Sequence, residues 1–299
     1  MSILVLGDPI LDRNIYCQQS TEVNPDYHYV PQVTKIDEET TLGGALNVVH
    51  NICKLGIDVI YAGYCDIDLY QELKNIYEAN IELLNLTTLL YRYDMYTITR
   101  YIDTCSYQHL FRIDPYYQTE TYYEPVKITY IPPEVELVVV SDYAHGSVTN
   151  ETLHALKEVW KGPIIIDSKQ ANEFDIRADI LKLNQYERAT FKDGKRLLYK
   201  DIIITFGSDG CTWNKHTKFP ALNKDQVVDT CGAGDTFTAA LAVARYKGFD
   251  MVDAIQFANC AAGIAVTKPG ISTVTFGEVI NEYNKYTVLR NQTNKEEMG

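Results

Sequence analysis

The stretch Val227-Val228-Asp229-Thr230-Cys231-Gly232-Ala233-Gly234-Asp235-Thr236-Phe237 constrains this chain more than any other. Two glycines in a turn run straight into a helical pattern that carries an aspartate at its start. Gly232 and Gly234 can take backbone conformations closed to residues with a Cβ, so several N–H groups can converge beside the positive end of the following helix. That is the anatomy of an anion site, and a phosphate would fit it. A carboxylate next to a phosphate is repelled by it, so Asp235 has a task there if it takes a proton from a hydroxyl attacking that phosphate. The same residues also suit a plain helix start, with Asp235 as cap and the glycines as turn. Two commoner phosphate motifs fail on spacing. The pattern G-x-x-x-x-G-K-[S/T] does not occur, and in a dinucleotide fingerprint Phe237 would stand where a third glycine is needed.

With 299 residues, 46% of them apolar, the chain can bury the core of one large α/β domain with an appendage. A net charge of −13 and the lack of any Lys/Arg run leave no basic face for nucleic acid or a lipid surface, so small-molecule partners held by local cations are expected. No basic leader and no apolar run of about 18 residues is present, which predicts a cytoplasmic protein. The seven cysteines are scattered without a C-x-x-C pair, as reduced, structural thiols would be. The 23 tyrosines are an excess that patterning does not account for.

Along the chain, Ile3–Leu6 is a short apolar run meeting Gly7-Asp8-Pro9, as expected of a buried parallel strand with ligand groups at its C-terminal end. Residues 14–41 carry β-favouring patches separated by polar residues with no helical period, and 89–112 alternate β-branched, aromatic and polar residues as antiparallel strands do, so the two are expected to form one small exposed sheet. Gly43-Gly44 opens a helix over about 44–55, with Asn47 in its first turn. A strand at 59–63 and a helix at 68–79 follow. Leu137–Asp142 and Pro163–Lys169 flank a helical stretch, 150–160, as a βαβ unit. Strands are expected at 180–187 and from 201 into the Gly207–Gly210 turn, then helices at 233–247 and 251–268, the second alanine-rich for close packing. The polar residues beyond about 291 read as a disordered tail. Polar groups fall at the same end of successive strands.

This ordered set, Gly43-Gly44 with Asn47, Asn184 with Glu187, Thr205 with Gly207 and Gly210, Asp229 to Asp235, and Asn259, resembles the PfkB/ribokinase family of sugar kinases. The string Asp229-Thr230-Cys231-Gly232-Ala233-Gly234-Asp235 carries most of the likeness, which covers roughly residues 2 to 284. The segments Gly7–Arg13, Phe111–Asp114, Ser141–Gly146 and Ile166–Lys169 are similar to the kinase half of bacterial bifunctional heptose 7-phosphate kinase/nucleotidyltransferases. The resemblance implies a ribokinase-like α/β fold, a doubly wound, mostly parallel sheet with a small β lid, over residues 1–290. It implies ATP-dependent phosphorylation of a sugar hydroxyl, with Asp235 as base and the amides of Gly232, Ala233 and Gly234 as anion hole. Asp12, Gly43, Gly44 and Asn47 would hold sugar hydroxyls. Asn184 and Glu187 would order Mg²⁺ and phosphate through water. Thr205, Gly207, Gly210 and Asn259 would line ATP, and Asp229 a monovalent-cation site suited to K⁺.

Against that pattern, the segment 188–200 is short. His145 stands where heptose-type members carry lysine, and Ser168-Lys169-Gln170 where they carry Pro-Lys-Gly. The acceptor is expected to be a phosphorylated heptose or related sugar. Another sugar, a nucleoside, or a silent binding module are the competing outcomes. Lys169 and Arg112 are the cations expected to grip a sugar phosphate in so acidic a protein. The lid strands, with little core of their own and many aromatics, predict a homodimer through the lid.

Overall fold

A computed structural model of the chain describes residues 1–19, 32–68, 71, 81–83, 88–90, 95–106, 108–115 and 122–297. The strands are β1 (Ser2–Gly7), β2 (Pro9–Gln19), β3 (Val33–Gly44), β4 (Asp58–Ala62), β5 (Tyr64–Asp66), β6 (Ile81–Leu83), β7 (Thr88–Leu90), β8 (Thr97–Asp103), β9 (His109–Ile113), β10 (Val135–Asp142), β11 (Ile164–Ser168), β12 (Ala178–Asn184), β13 (Tyr199–Thr205), β14 (Cys211–Trp213) and β15 (Thr217–Phe219). The helices are α1 (Ala45–Lys54), α2 (Asn150–Val159), α3 (Gln185–Thr190), α4 (Ala233–Tyr246), α5 (Met251–Ala265) and α6 (Phe276–Glu297).

The main sheet runs β15-β14-β13-β12-β11-β10-β1-β4-β6, parallel from β6 to β13 and closed at one edge by the antiparallel β14–β15 hairpin. The apolar runs sit in its centre because both faces are covered, and the two-residue period of a strand divides them between two cores. Ile3 and Val5 of β1 and Leu137 and Val139 of β10 join α1, α4 and α5 on one side. Leu4, Leu6, Val138 and Val140 join α2 on the other. The register places Gly7 beside Ser141, Asp142 beside Ser168 and Asn184 beside Thr205, so the polar strand ends form one edge. This is the doubly wound, mostly parallel sheet expected.

The lid is a four-stranded sheet, β3-β2-β8-β9. It joins the two expected patches through β2 and β8, which run parallel, while Leu89 and Leu90 pair with β5 instead. Only the hairpin-linked pairs β2–β3 and β8–β9 are antiparallel. Between β2 and β8 the chain crosses α1 and β4, which returns it in the same direction, and period-two alternation is identical for both senses of pairing.

Three further expectations change. The strand predicted over 180–187 stops at Asn184, because Asn184 accepts from the backbone N–H groups of Tyr186 and Glu187 and caps α3. The helix expected at 68–79 lies for the most part outside the described residues. Residues 291–297, expected as a disordered tail, continue α6. Their lysine and glutamates are good helix formers, and that propensity extends the helix where polarity alone suggested a frayed end.

Tyrosine finds a use in the wedge between lid and sheet. Tyr64 stacks on Tyr123 at 4.8 Å, and Tyr123 OH donates to the Pro9 carbonyl (3.0 Å) while accepting the Tyr96 N–H (2.8 Å). A flat apolar body with a polar tip fills such a wedge and satisfies its backbone groups together.

Candidate active site

Asp235 lies in the first turn of α4, 5% exposed, and it does not cap the helix. Gly232 occupies the cap position with φ 74°, and no side chain caps the helix. Ala233 N–H donates to the Thr230 carbonyl at 3.3 Å, and no side chain occupies the amides of Gly234 and Asp235 at the positive end of the 14-residue helix. The Asp235 carboxylate is held from two elements instead. Asn47 Nδ2, on α1, donates to Oδ2 at 2.9 Å, and Tyr143 OH, in the loop after β10, donates to Oδ1 at 2.6 Å. Asn47 is itself fixed by Asn51 Nδ2, which reaches its Oδ1 at 2.9 Å and its carbonyl at 3.0 Å. Burial lifts the Asp235 carboxyl to about 6, against the pull of the Tyr143 and Asn47 bonds.

A cation stands beside this turn that was not singled out in the sequence. Lys182 of β12 is 5% exposed and pairs with Asp167 Oδ2 at 2.9 Å. A Cβ on Gly234 would lie only 3.2 Å from its Nζ, so glycine there lets the ammonium approach the turn. Burial pulls the Lys182 pKa down, but the Asp167, Glu187 and Asp235 carboxylates together outweigh it and the net shift is upward, leaving the ammonium charged. The visible signal was a lysine interrupting the apolar run Ile180–Leu183.

Lys169, Asn184, Glu187, Thr205, Gly207, Gly210, Gly232, Ala233, Gly234, Asp235 and Asn259 line one cleft of about 700 Å³. Asn184 and Glu187 form a capping box, with Glu187 Oε2 accepting the Asn184 N–H and Oε1 its Nδ2, each at 2.7 Å. Asn259 Nδ2 donates to the Pro220 carbonyl at 2.6 Å, so the amide is satisfied by backbone while facing the cleft. No residue of 188–200 lines it. Lys169 holds its ammonium 4.1 Å from the centre of the Tyr143 ring, with its pKa lowered by burial.

The other expected residues lie on the lid side. Asp12 of β2 is 4% exposed and forms an ion pair with Arg100 of β8, a partner the sequence had not indicated. A side chain on Gly43 would collide with the Asp12 carboxylate, which accounts for glycine there. Gly44, at φ 57°, leads into α1 against the Asp8 carbonyl. Arg112 lies exposed on β9 and its Nε donates to both oxygens of Asp114 at 3.0 and 2.9 Å. Asp229 faces a second cavity of about 320 Å³, with Arg100 and Gly270 in its wall. One Asp229 oxygen accepts the Cys231 N–H (2.9 Å) and the other the Gly270 N–H (3.2 Å).

The sequence departures have structural partners. Ser168 Oγ (2.5 Å) and Gln170 Nε2 (3.0 Å) both donate to the buried Asp142 carboxylate. His145 stacks on Tyr96 with ring centres 3.8 Å apart. Asp8, fully buried, accepts the backbone N–H groups of Tyr143, His145 and Ser147 (2.8, 3.0 and 2.9 Å) and so clamps the loop that carries Tyr143.

Among the described residues no group of three or more His, Cys, Asp or Glu is placed to hold a metal ion. Glu187 stands in the cleft wall with each carboxylate oxygen already accepting from Asn184, which leaves only its remaining lone pairs to face the cleft. Among the described residues no helix is long and apolar enough to cross a membrane.

Residues 170–275 match the model of the pfkB family carbohydrate kinases. The bifunctional protein HldE of Chromohalobacter salexigens is 30% identical over 301 residues, covering 93% of this chain and 62% of that protein. HldE of a Nitratiruptor species is 29% identical over 309 residues, covering 95% and 65%. This chain thus spans a little under two thirds of the length of these relatives. Arabidopsis thaliana ribokinase, solved with ribose and ATP, superposes with a TM-score of 0.70 at 19% identity, covering 94% of this chain and 98% of that one. Thermotoga maritima ribokinase does so with a TM-score of 0.69 at 20% identity, covering 95% and 99%. With its sheet-and-lid architecture the chain has the ribokinase-like fold, and the part of it that carries the Asp229–Asp235 turn, residues 170–275, is a pfkB family carbohydrate kinase match.

Proposed function

We propose that the protein is an ATP-dependent sugar kinase that transfers the γ-phosphoryl group to a hydroxyl of a phosphorylated heptose or a related sugar phosphate. One observation carries this reading: Asp235 is buried and oriented by Asn47 and Tyr143 at the uncapped start of α4, with the Lys182 ammonium against the same turn. Asp235 takes the proton of the acceptor hydroxyl as its oxygen bonds to the γ-phosphorus. The bond to the β–γ bridging oxygen breaks, and ADP leaves with that electron pair. Amides of Gly232, Ala233 and Gly234, together with Lys182, meet the charge that develops.

ATP would lie in the cleft along Thr205, Gly207, Gly210 and Asn259, and Mg²⁺, shielding the phosphates, would be ordered through water by Asn184 and Glu187. A monovalent cation such as K⁺ would draw on the remaining lone pairs of Asp229 and on backbone oxygens near Cys231 and Gly270. Asp12, Gly43, Gly44 and Asn47 would hold sugar hydroxyls. Lys169 would meet the acceptor's phosphate, and Arg112 would join it by exchanging Asp114 for that phosphate. A homodimer through the lid and a cytoplasmic setting complete the reading.

The test is ADP release in the presence of heptose 7-phosphate, fructose phosphates, ribose and nucleosides. Preference for a sugar phosphate is expected. Turnover of an unphosphorylated sugar or nucleoside instead would overturn the acceptor, and turnover of none would overturn the kinase reading.

A further inference from the structure

Both oxygens of the candidate base are occupied. Oδ2 holds Asn47, which is locked from behind by Asn51, and Oδ1 holds Tyr143 OH at 2.6 Å. Burial, together with the Asp235 and Asp167 carboxylates, pushes the Tyr143 phenol well above its ordinary range, so it stays a donor at working pH. A carboxylate oxygen bound that closely by a phenol is a poorer proton acceptor, and a hydroxyl that is to give its proton to Oδ1 competes with the phenol for that oxygen. Of the two donors, Tyr143 is the one that can leave. Its backbone is pinned by Asp8, but its ring lines the open cleft and is held on that side by the Lys169 ammonium, 4.1 Å from its centre. That contact is electrostatic, and an anion that engages Lys169 competes with the ring for the same charge.

We propose that Tyr143 is a positioning residue that couples Lys169 to Asp235: an anionic group on the acceptor draws Lys169 off the ring, and the phenol then releases Oδ1 to the incoming hydroxyl. The inference rests on the sugar kinase reading and deepens it. A phosphorylated acceptor is then selected in the rate of the chemical step as well as in binding, because only such a substrate uncovers the base. Besides Asn47 and Tyr143, the groups facing Asp235 are Asp167 of β11, Lys182 of β12 and Lys169, and none of these donates a hydrogen bond to its carboxylate.

The test uses the full chain and Tyr143→Phe, which keeps the ring and removes only the hydroxyl. In a titration followed by ¹³C-aspartate NMR, with the Asp235 resonance identified by its loss in Asp235→Asn, Tyr143→Phe moves the Asp235 midpoint upward by about one pH unit. Inorganic phosphate added to the wild type also moves it upward, by more than in Tyr143→Phe, where only direct repulsion is left, and hardly at all in Lys169→Ala. In ADP release, the wild type shows a higher kcat on a phosphorylated sugar than on its unphosphorylated counterpart. Tyr143→Phe loses that kcat ratio and keeps the KM preference. An unchanged Asp235 midpoint in Tyr143→Phe, an equal phosphate effect in both proteins, or a kcat ratio that survives the substitution would each overturn the coupling. Absence of turnover in the wild type would instead strike the kinase reading, while the NMR titration still decides the link between Lys169, Tyr143 and Asp235.

Discussion

At the scale of single residues the molecule turns on one displaced carboxyl. Burial holds Asp235 up at about 6, and a base must be ionised to act, so kcat/KM should rise with pH through about 6 and level off above it. The same shift sets a stability trend. The ordinary value is 3.8, so the folded protein keeps a proton that the unfolded chain has already lost between about 4 and 6. Above about 6 the buried charge costs stability, by at most about 3 kcal/mol, and the cost is relieved as the pH falls through that window. Asp235→Asn removes the charge and should melt no lower than the wild type at pH 7.5, with any advantage gone by about pH 4. In the same variant turnover should fall roughly 10²–10⁴-fold, while ATP affinity measured by calorimetry stays or improves because like-charge repulsion is gone. A folded Asp235→Asn that loses less than about tenfold would remove Asp235 from the role of base. Asp235 was legible in the sequence because glycine spacing and helix start lie within a few residues of it. Tyr143 and Asn47 were not legible as its partners, since the contacts join positions 92 and 188 residues apart and only the folded sheet brings them together.

At the scale of elements, what was legible followed from local chemistry. Buried strands announced themselves as apolar runs with polar ends, and α1, α2, α4 and α5 by periodicity and flanking signals. Misread elements were those where local and long-range terms compete, as at Asn184, whose capping bonds end a strand that its apolar residues alone would have carried on. The turn into α4 offers a test of how far local geometry controls the site. Gly232→Ala meets two obstacles: φ 74° is in the left-handed region, and the new Cβ would lie 2.7 Å from Asn47 Nδ2, the amide that orients Asp235. Gly56→Ala meets only the first, with φ 81° and open space around it. Each should lose about 1–2 kcal/mol of stability from backbone strain. Only Gly232→Ala should also lose turnover, by roughly 10²-fold, because its collision displaces the support of the proposed base. Melting curves and ADP release on the pair make the comparison, and equal turnover in the two variants would show that the Asn47 contact does not position Asp235.

At the scale of the whole molecule, the lid is the part with an open account. Its inner strands β2 and β8 bury Ile15, Ile98 and Ile102 and bring Asp12 and Arg100 together. Its outer strands β3 and β9 are sheet edges that leave Ile36 58%, Phe111 41% and Ile113 51% exposed. Among the described residues these edges pair with no further strand, and edge backbone beside exposed apolar side chains forms a surface that gains by pairing, while the stack of Tyr101 on Phe111 at 4.2 Å keeps part of it preformed. Light scattering should therefore give twice the 34.0 kDa chain mass at micromolar concentration. Phe111→Asp and Ile36→Asp, which touch neither the cleft nor the core, should shift the mass toward one chain. Because Asp12 and Arg100 stand on strands flanked by those edges, separation should loosen the acceptor side of the site, raising KM for the sugar more than for ATP. A wild-type mass of a single chain across that range would show that the edges stay open to solvent and that the lid holds the acceptor without a partner.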